Sequence, residues 1–184
     1  MSNIEAMRER LRALLLEKAY LTGDFVLTSG KHSDHYFDCR RVTLDPEGLS
    51  LASGLLIEKM RQARLAAIGG LAIGADPLVA GVVATSWRLD YPILGFIVRK
   101  EQKQHGTGRK IEGSLPAGTG VAVVDDVVTS GGSIIQAASS CLEEGLKPAA
   151  AYALVDREEG GAEEISRACR LPLEALFKYS ELFG

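Results

Sequence analysis

The chain has 184 residues, 46% apolar and 24% charged, with a net charge of −3 and a pI near 5.7. This is the composition of a globular domain with room for its own core, and the mild acidity argues against nucleic acid as the main partner. The three cysteines, Cys39, Cys141 and Cys169, are far apart and form no C-x-x-C pair, so neither a disulfide framework nor a zinc site is indicated and reduced thiols are expected. No apolar run reaches membrane-spanning length, and the N-terminal residues lack a signal-peptide pattern. The expectation is one cytoplasmic domain, residues 1–184, with no membrane and no nucleic acid among its partners.

Ser2 to Lys18 has helical periodicity, with Ile4, Met7, Leu11, Leu14 and Leu15 on one face and capping-box spacing between Ser2 and Glu5. Phe25-Val26-Leu27 and Tyr36-Phe37 are strand-like and flank a polar turn from Ser29 to Asp34, which predicts a short hairpin carrying two aromatics. Asp45-Pro46 then starts a helix running to Met60.

From residue 65 the chain alternates. Leu65–Ile68 predicts a strand, Gly69–Ala75 a glycine-rich loop, and Asp76-Pro77 the cap of a helix. Ile93–Val98 predicts a second strand, and residues 99–118 a long charged segment. Val121–Val124 predicts a third strand, followed by Asp125-Asp126, a small-residue loop and a helix ending near Gly145. Ala149–Val155 is a fourth strand, 162–169 a short helix, and Leu173–Phe177 a final strand. Near-continuous apolar strands alternating with helices specify an α/β fold with a mainly parallel central sheet flanked by helices. Ligands of such sheets bind at the carboxyl ends of the strands. The polar loops after the four strands, at 70–76, 99–103, 125–133 and 156–157, are therefore expected on one edge.

Two stretches carry chemistry. In Asp125-Asp126-Val127-Val128-Thr129-Ser130-Gly131-Gly132-Ser133, a loop of small residues leads into a helix N-terminus, an arrangement that closes around an anion with backbone N–H groups. The adjacent carboxylates repel each other unless hydroxyls or a cation satisfy them. The spacing is neither that of a P-loop nor G-x-G-x-x-G. Arg99 to Lys110 holds five basic side chains, His105 and two glycines. A long cationic loop at the ligand edge suits a highly charged anion that must be shielded while a bond breaks.

Val121–Ser133 resembles the 5-phosphoribosyl 1-diphosphate (PRPP) signature of type I phosphoribosyltransferases, which the wider superfamily shares. Arg99-Lys100-x-x-Lys103-x-His105-Gly106 resembles the catalytic loop of orotate phosphoribosyltransferases, and Ser29-Gly30-x-x-Ser33, Tyr36-Phe37 and Asp156-Arg157 are similar to that family too. The likeness spans nearly the whole chain. It implies a type I phosphoribosyltransferase fold, with a small hood built from the hairpin segments of residues 1–45 over a PRPP-binding core of about 46–160. It implies transfer of ribose 5-phosphate from PRPP to orotate with Mg²⁺, in pyrimidine synthesis. The metal would be held mainly by PRPP oxygens, with no direct protein ligand.

By the same resemblance, Thr129, Ser130, Gly131, Gly132 and Ser133, with Val127 and Val128, surround the 5′-phosphate, and Asp125 and Asp126 hold the ribose hydroxyls. Arg99, Lys100, Lys103 and His105 meet the diphosphate, with Lys103, His105 and Asp126 as the catalytic group. Lys31 or His32, Tyr36, Phe37, Thr129 and Arg157 meet orotate. A purely structural alternative for Arg157 is pairing with Asp156 or Glu158. A homodimer is implied, with the 99–110 loop reaching the neighbouring site. Gly74 stands where some relatives carry a lysine, which leaves backbone N–H groups to serve there. The competing readings are a phosphoribosyltransferase for another base and a PRPP-sensing regulator without catalysis.

Overall fold

The computed structural model describes residues 3–26, 32–101 and 110–183. A six-stranded sheet has the order β5-β4-β3-β6-β7-β8: β3 (Ala67–Leu71), β4 (Leu94–Val98), β5 (Ile111–Glu112), β6 (Gly120–Val128), β7 (Lys147–Asp156) and β8 (Leu173–Lys178). All neighbours are parallel except the two-residue β5, which runs antiparallel to β4. A separate antiparallel pair, β1 (Tyr20–Val26) and β2 (His32–Phe37), forms the expected hairpin.

Burial explains why the strands read as apolar runs. Along β6, Ala122 and Val124 pack into one core with Leu56, Met60, Leu78 and Tyr152, and Val121 and Val123 pack into the other with Ile134, Ala138 and Ile165. Side chains alternate between the two faces of a strand, so a sheet covered on both faces needs apolar residues at every position. One layer is built by α1 (Asn3–Leu14), α3 (Pro46–Ala63) and α4 (Asp76–Arg88), the other by α5 (Gly132–Glu143) and α6 (Gly161–Cys169). Short helices α2 (Arg40–Thr43) and α7 (Tyr179–Leu182) close the hood side.

Several boundaries differ from the sequence expectation. The first helix gives way at Leu14 to a π-helical turn over Leu15–Ala19, and Ile4 of its apolar face is exposed. Gly69, Gly70 and Leu71 belong to β3, so the following loop is shorter than expected. Glycine is required there because a Cβ on Gly69 would meet the Phe96 carbonyl oxygen and one on Gly70 that of Val124. Ser33 and Asp34 lie in β2, not in a turn. Asp45 caps α3 as expected, accepting from the N–H groups of Glu47 and Gly48 at 3.0 and 2.9 Å. Asp76 does not cap α4. It is the helix's first residue, Ala75 holds the cap position, and Asp76 Oδ1 is buried without a hydrogen-bond partner.

The main correction concerns the acidic pair. Asp125 and Asp126 sit inside β6, which continues to Val128 because β7 pairs it there, Val127 opposite Val155 and Val128 opposite Asp156. On the other side β3 pairs β6 only at Ile68–Ala122 and Gly69–Val123. Beyond Val123 the two strands part. Connections leave β3 towards β4 and β6 towards β7, in opposite directions along the sheet, so this gap is the crevice where open α/β sheets bind ligands.

Candidate active site

A cleft of about 1190 Å³ opens over that crevice. Four strand ends supply it as the alternation predicts: Ile73 and Gly74 after β3, Lys100 after β4, Thr129–Ser133 after β6, and Arg157 and Glu159 after β7. The hairpin adds Leu21, Phe25, Tyr36 and Phe37, and the turn behind it Asp38, Cys39 and Arg40.

The floor is the acidic pair. Asp125 is 7% exposed. Its Oδ1 accepts from the N–H of Asp126 at 3.0 Å, and Asp126 Oδ1 accepts from the N–H of Val127 at 2.9 Å. Burial, then the neighbouring Asp126 charge, push the Asp125 carboxyl up to about 7. Burial raises Asp126 too, opposed by backbone hydrogen bonding and by the Arg40 guanidinium. The pair therefore holds a proton more readily than ordinary carboxylates do, and hydroxyl donors arriving at it favour the fully ionised form.

Gly74 is packed directly on this pair. A Cβ there would lie 2.7 Å from Asp126 Oδ1 and 2.9 Å from Asp125 Oδ1, so a side chain at this position needs the loop or the acids to move. The loop carries a cis peptide between Ala72 and Ile73.

Beyond the acids, Thr129 and Ser130 are exposed, and Gly131 takes the left-handed conformation, φ 81°, that leads into α5. A Cβ at Gly131 would sit 2.8 Å from the Gly161 carbonyl oxygen, so close helix packing as well as conformation calls for glycine. The first N–H groups of a helix lack intrahelical partners, and here Gly132 and Ser133, which open α5, line the cleft, a placement able to receive an anion. Val127 and Val128 line the wall, but the Val127 N–H is already engaged by Asp126.

The hood supplies the apolar side. Tyr36 packs against Phe25 with ring centroids 5.6 Å apart, and Phe37, almost fully buried, is backed by Tyr20 and Tyr179. In the same cleft the Arg157 side chain is 11% exposed. Its partner is Glu159, at 2.8 Å, not Asp156 or Glu158. Asp156 accepts from the N–H of Glu158, and Glu158 from the N–H of Ser180.

Other expected residues lie apart. His32 is exposed, sits 3.0 Å from Asp24, and does not line the cleft. Arg99 pairs with Glu112 of β5 at 2.9 Å, away from the cleft that its neighbour Lys100 lines. Lys31, Lys103 and His105 lie outside the described residues. Phe25, Asp38, Cys39, Arg40, Ile73 and Glu159 line the cleft without having been singled out by the sequence. Asp38-x-Arg40, an acid and a base two residues apart after the aromatics, was the available signal for one such pair, joined here at 3.0 Å.

No protein-family model matches the chain. It is 43% identical over 178 residues to orotate phosphoribosyltransferase of Aquifex aeolicus, covering 95% of this chain and 97% of that one. The chain belongs to the orotate phosphoribosyltransferase family. Crystal structures of the Mycobacterium tuberculosis orotate phosphoribosyltransferase share the architecture. The complex with Fe(III) dicitrate aligns with a TM-score of 0.85 at 34% identity over 96% of this chain and 98% of that one. The complex with PRPP aligns at 0.81 and 30% identity, over 97% and 99%. The fold is thus the type I phosphoribosyltransferase fold, with the hairpin as its hood.

The raised Asp125 pKa sets a pH dependence of stability. An acid whose folded pKa lies above its unfolded value of about 4 keeps its proton longer when folded, so stability falls as pH rises from about 4 to 7 and levels off above. Asp125→Asn removes that penalty. Urea midpoints of the ligand-free protein should fall between pH 5 and 8 by an amount corresponding to roughly 2 to 3 kcal/mol, with a flatter profile in the variant. Parallel profiles for the two proteins would contradict the assignment.

Proposed function

We propose that the chain transfers the ribose 5-phosphate group of PRPP to orotate, giving orotidine 5′-monophosphate and diphosphate. The observation that carries this reading is the layout of one cleft in a chain of this family. An amide cradle and an acidic pair are followed by an aromatic hood and a nearly buried arginine. The cradle at Thr129–Ser133 holds the 5′-phosphate that stays on the sugar, and Asp125 and Asp126 accept hydrogen bonds from the ribose hydroxyls. Between them the anomeric carbon is aimed at the hood. The flat pyrimidine lies against Tyr36 and Phe37 beside Thr129, with Lys31 from the hairpin, and its carboxylate meets Arg157, which binds planar anions with two parallel hydrogen bonds.

In the reaction a ring nitrogen of orotate forms the new bond to the anomeric carbon as the bond to diphosphate breaks. The bonding electrons leave with the diphosphate. No protein nucleophile is needed; positioning and charge stabilisation do the work. Lys100 approaches the departing diphosphate from the end of β4, and the N–H groups of Ile73 and Gly74 from the side of β3, those of Ala72 and Ala75 being engaged by the Val98 and Leu71 carbonyls. Lys103 and His105 complete the cation set.

Mg²⁺ is the cofactor in this reading. Among the described residues no cluster of three or more His, Cys, Asp or Glu side chains could hold a metal. In this reading the ion is carried in by PRPP, with Asp125 and Asp126 the carboxylates beside it. Such an ion neutralises charge on the diphosphate oxygens.

The assembly proposed is a homodimer in the cytoplasm. No helix among the described residues is long and apolar enough to cross a membrane. Val83 and Trp87 of α4 and Leu94 of β4 are exposed, Trp87 by 76%. Arg99 turns from its own cleft towards Glu112, which suits a 99–110 loop that serves the neighbour.

The reading is tested by depletion of orotate, followed by absorbance, with PRPP and Mg²⁺. Turnover is expected with orotate; none with orotate but turnover with uracil or hypoxanthine sinks it. Loop exchange is tested by mixing Lys103→Ala with Asp126→Ala subunits after reversible dissociation. If Lys103 acts across the interface, half the dimers regain one intact site and activity returns to about a quarter of the wild-type level. No recovery would show that each loop serves its own subunit.

A further inference from the structure

Within that reading, which this inference rests on, Glu159 has no role yet. Its carboxylate lines the cleft, 2.8 Å from Arg157 Nε, with side-chain exposures of 44% for Glu159 and 11% for Arg157. Arg157 Nε is wholly buried and has no aligned hydrogen-bond acceptor, so the contact is an ion pair off the N–H axis. The backbone around the pair is pinned. The Arg157 N–H donates to the Val128 carbonyl at 2.9 Å, Asp156 Oδ1 accepts from the Glu158 N–H at 2.9 Å, and Glu158 Oε2 accepts from the Ser180 N–H at 2.8 Å. Glu158 and Gly160 both have left-handed φ, 58° and 91°, and bracket Glu159. The Arg157 side chain lies in a cleft that also contains two carboxylates able to attract it, Asp125 and Asp126.

We infer that Glu159 is a positioning residue for base recognition: it holds the Nε side of the Arg157 guanidinium and so presents the two terminal nitrogens to the carboxylate of the incoming pyrimidine. A guanidinium offers a planar carboxylate two faces, the Nε side and the terminal end. Engaging the first leaves the second, and it keeps the cation away from Asp125 and Asp126, where it would obstruct the ribose. Glu159 touches neither the sugar nor the diphosphate in this scheme, so its influence falls on one substrate.

The test is steady-state kinetics of wild type, Glu159→Ala and Glu159→Gln, varying orotate and PRPP separately. Glu159→Ala should raise the KM for orotate about 5-fold, in line with loss of one partly exposed ion pair, with kcat and the KM for PRPP changed less than about 2-fold. Glu159→Gln keeps the shape and an acceptor oxygen but not the charge of the ion pair, and should recover only part of the lost affinity. A matching urea midpoint for wild type and Glu159→Ala separates the effect from folding. An unchanged or lower KM for orotate in Glu159→Ala would overturn the inference, since Glu159 would then be inert or a competitor for Arg157. Equal rises in both KM values would overturn it as well, showing a general disturbance of the cleft. Failure of the wild type to use orotate overturns the functional reading and this inference together; wild-type turnover with no selective effect of Glu159→Ala overturns the inference alone.

Discussion

Two carboxylates held side by side at the parting of two strands are the constraint that the site depends on. Asp125 and Asp126 are in β6, fixed from one side by its pairing with β7. On the other side they meet the 72–75 loop at Gly74, where a Cβ would lie 2.7 and 2.9 Å from the two carboxylates, so that a side chain there needs the loop or the acids to move. Burial of the two groups, then the repulsion between them, pushes the Asp125 carboxyl up and makes the arrangement costly. That cost is tolerable because the surrounding parallel sheet has an apolar core on both faces and does not yield locally. Hydroxyl donors at the pair would relieve the repulsion, which is why the proposed reading places the ribose there.

The remaining parts of the cleft are arranged around that point by topology. The strand ends that supply Gly74, Lys100, the 129–133 cradle and Arg157 lie on one edge because the sheet is parallel. The hood is different in kind. It is a two-stranded ribbon outside the main sheet, attached through Phe37 and the aromatic contacts of Tyr20, Tyr179 and Phe183. In the proposed reading the phosphate is held on the main sheet and the flat ring under a lighter element. Such a division lets relatives keep the sugar site while the base changes.

Much of this was legible in the sequence because it is local. The anion cradle needs small residues before a helix, and Thr129–Ser133 displays them in order; the parallel sheet needs apolar runs, and β3, β4, β6 and β7 display those. What escaped is set by contacts distant in sequence. The acids were expected beyond the strand, yet β6 extends through them because β7 continues alongside. Gly74 read as a missing lysine, whereas in the fold its lack of a side chain is what lets the loop reach Asp125 and Asp126. Asp76 before Pro77 looked like a helix cap, but Ala75 takes that position and the carboxylate is turned inward. Ion-pair partners were the least legible. Arg157 had two acidic neighbours in sequence and chose Glu159, and Arg99 reached across to Glu112 on a different strand.

The central claim is that the acidic pair holds a proton more readily than ordinary carboxylates do and surrenders it when the sugar arrives. Carbon-13 NMR of the aspartate side-chain carboxyls, followed against pH, tests it directly, with Asp125→Asn assigning the signal. In the ligand-free protein one step belonging to the pair should have its midpoint near 7, and saturating PRPP with Mg²⁺ should move it into the ordinary carboxylate range near 4 or below. Titration of every aspartate near 4 in the ligand-free protein, or a step near 7 that PRPP leaves in place, would contradict the account.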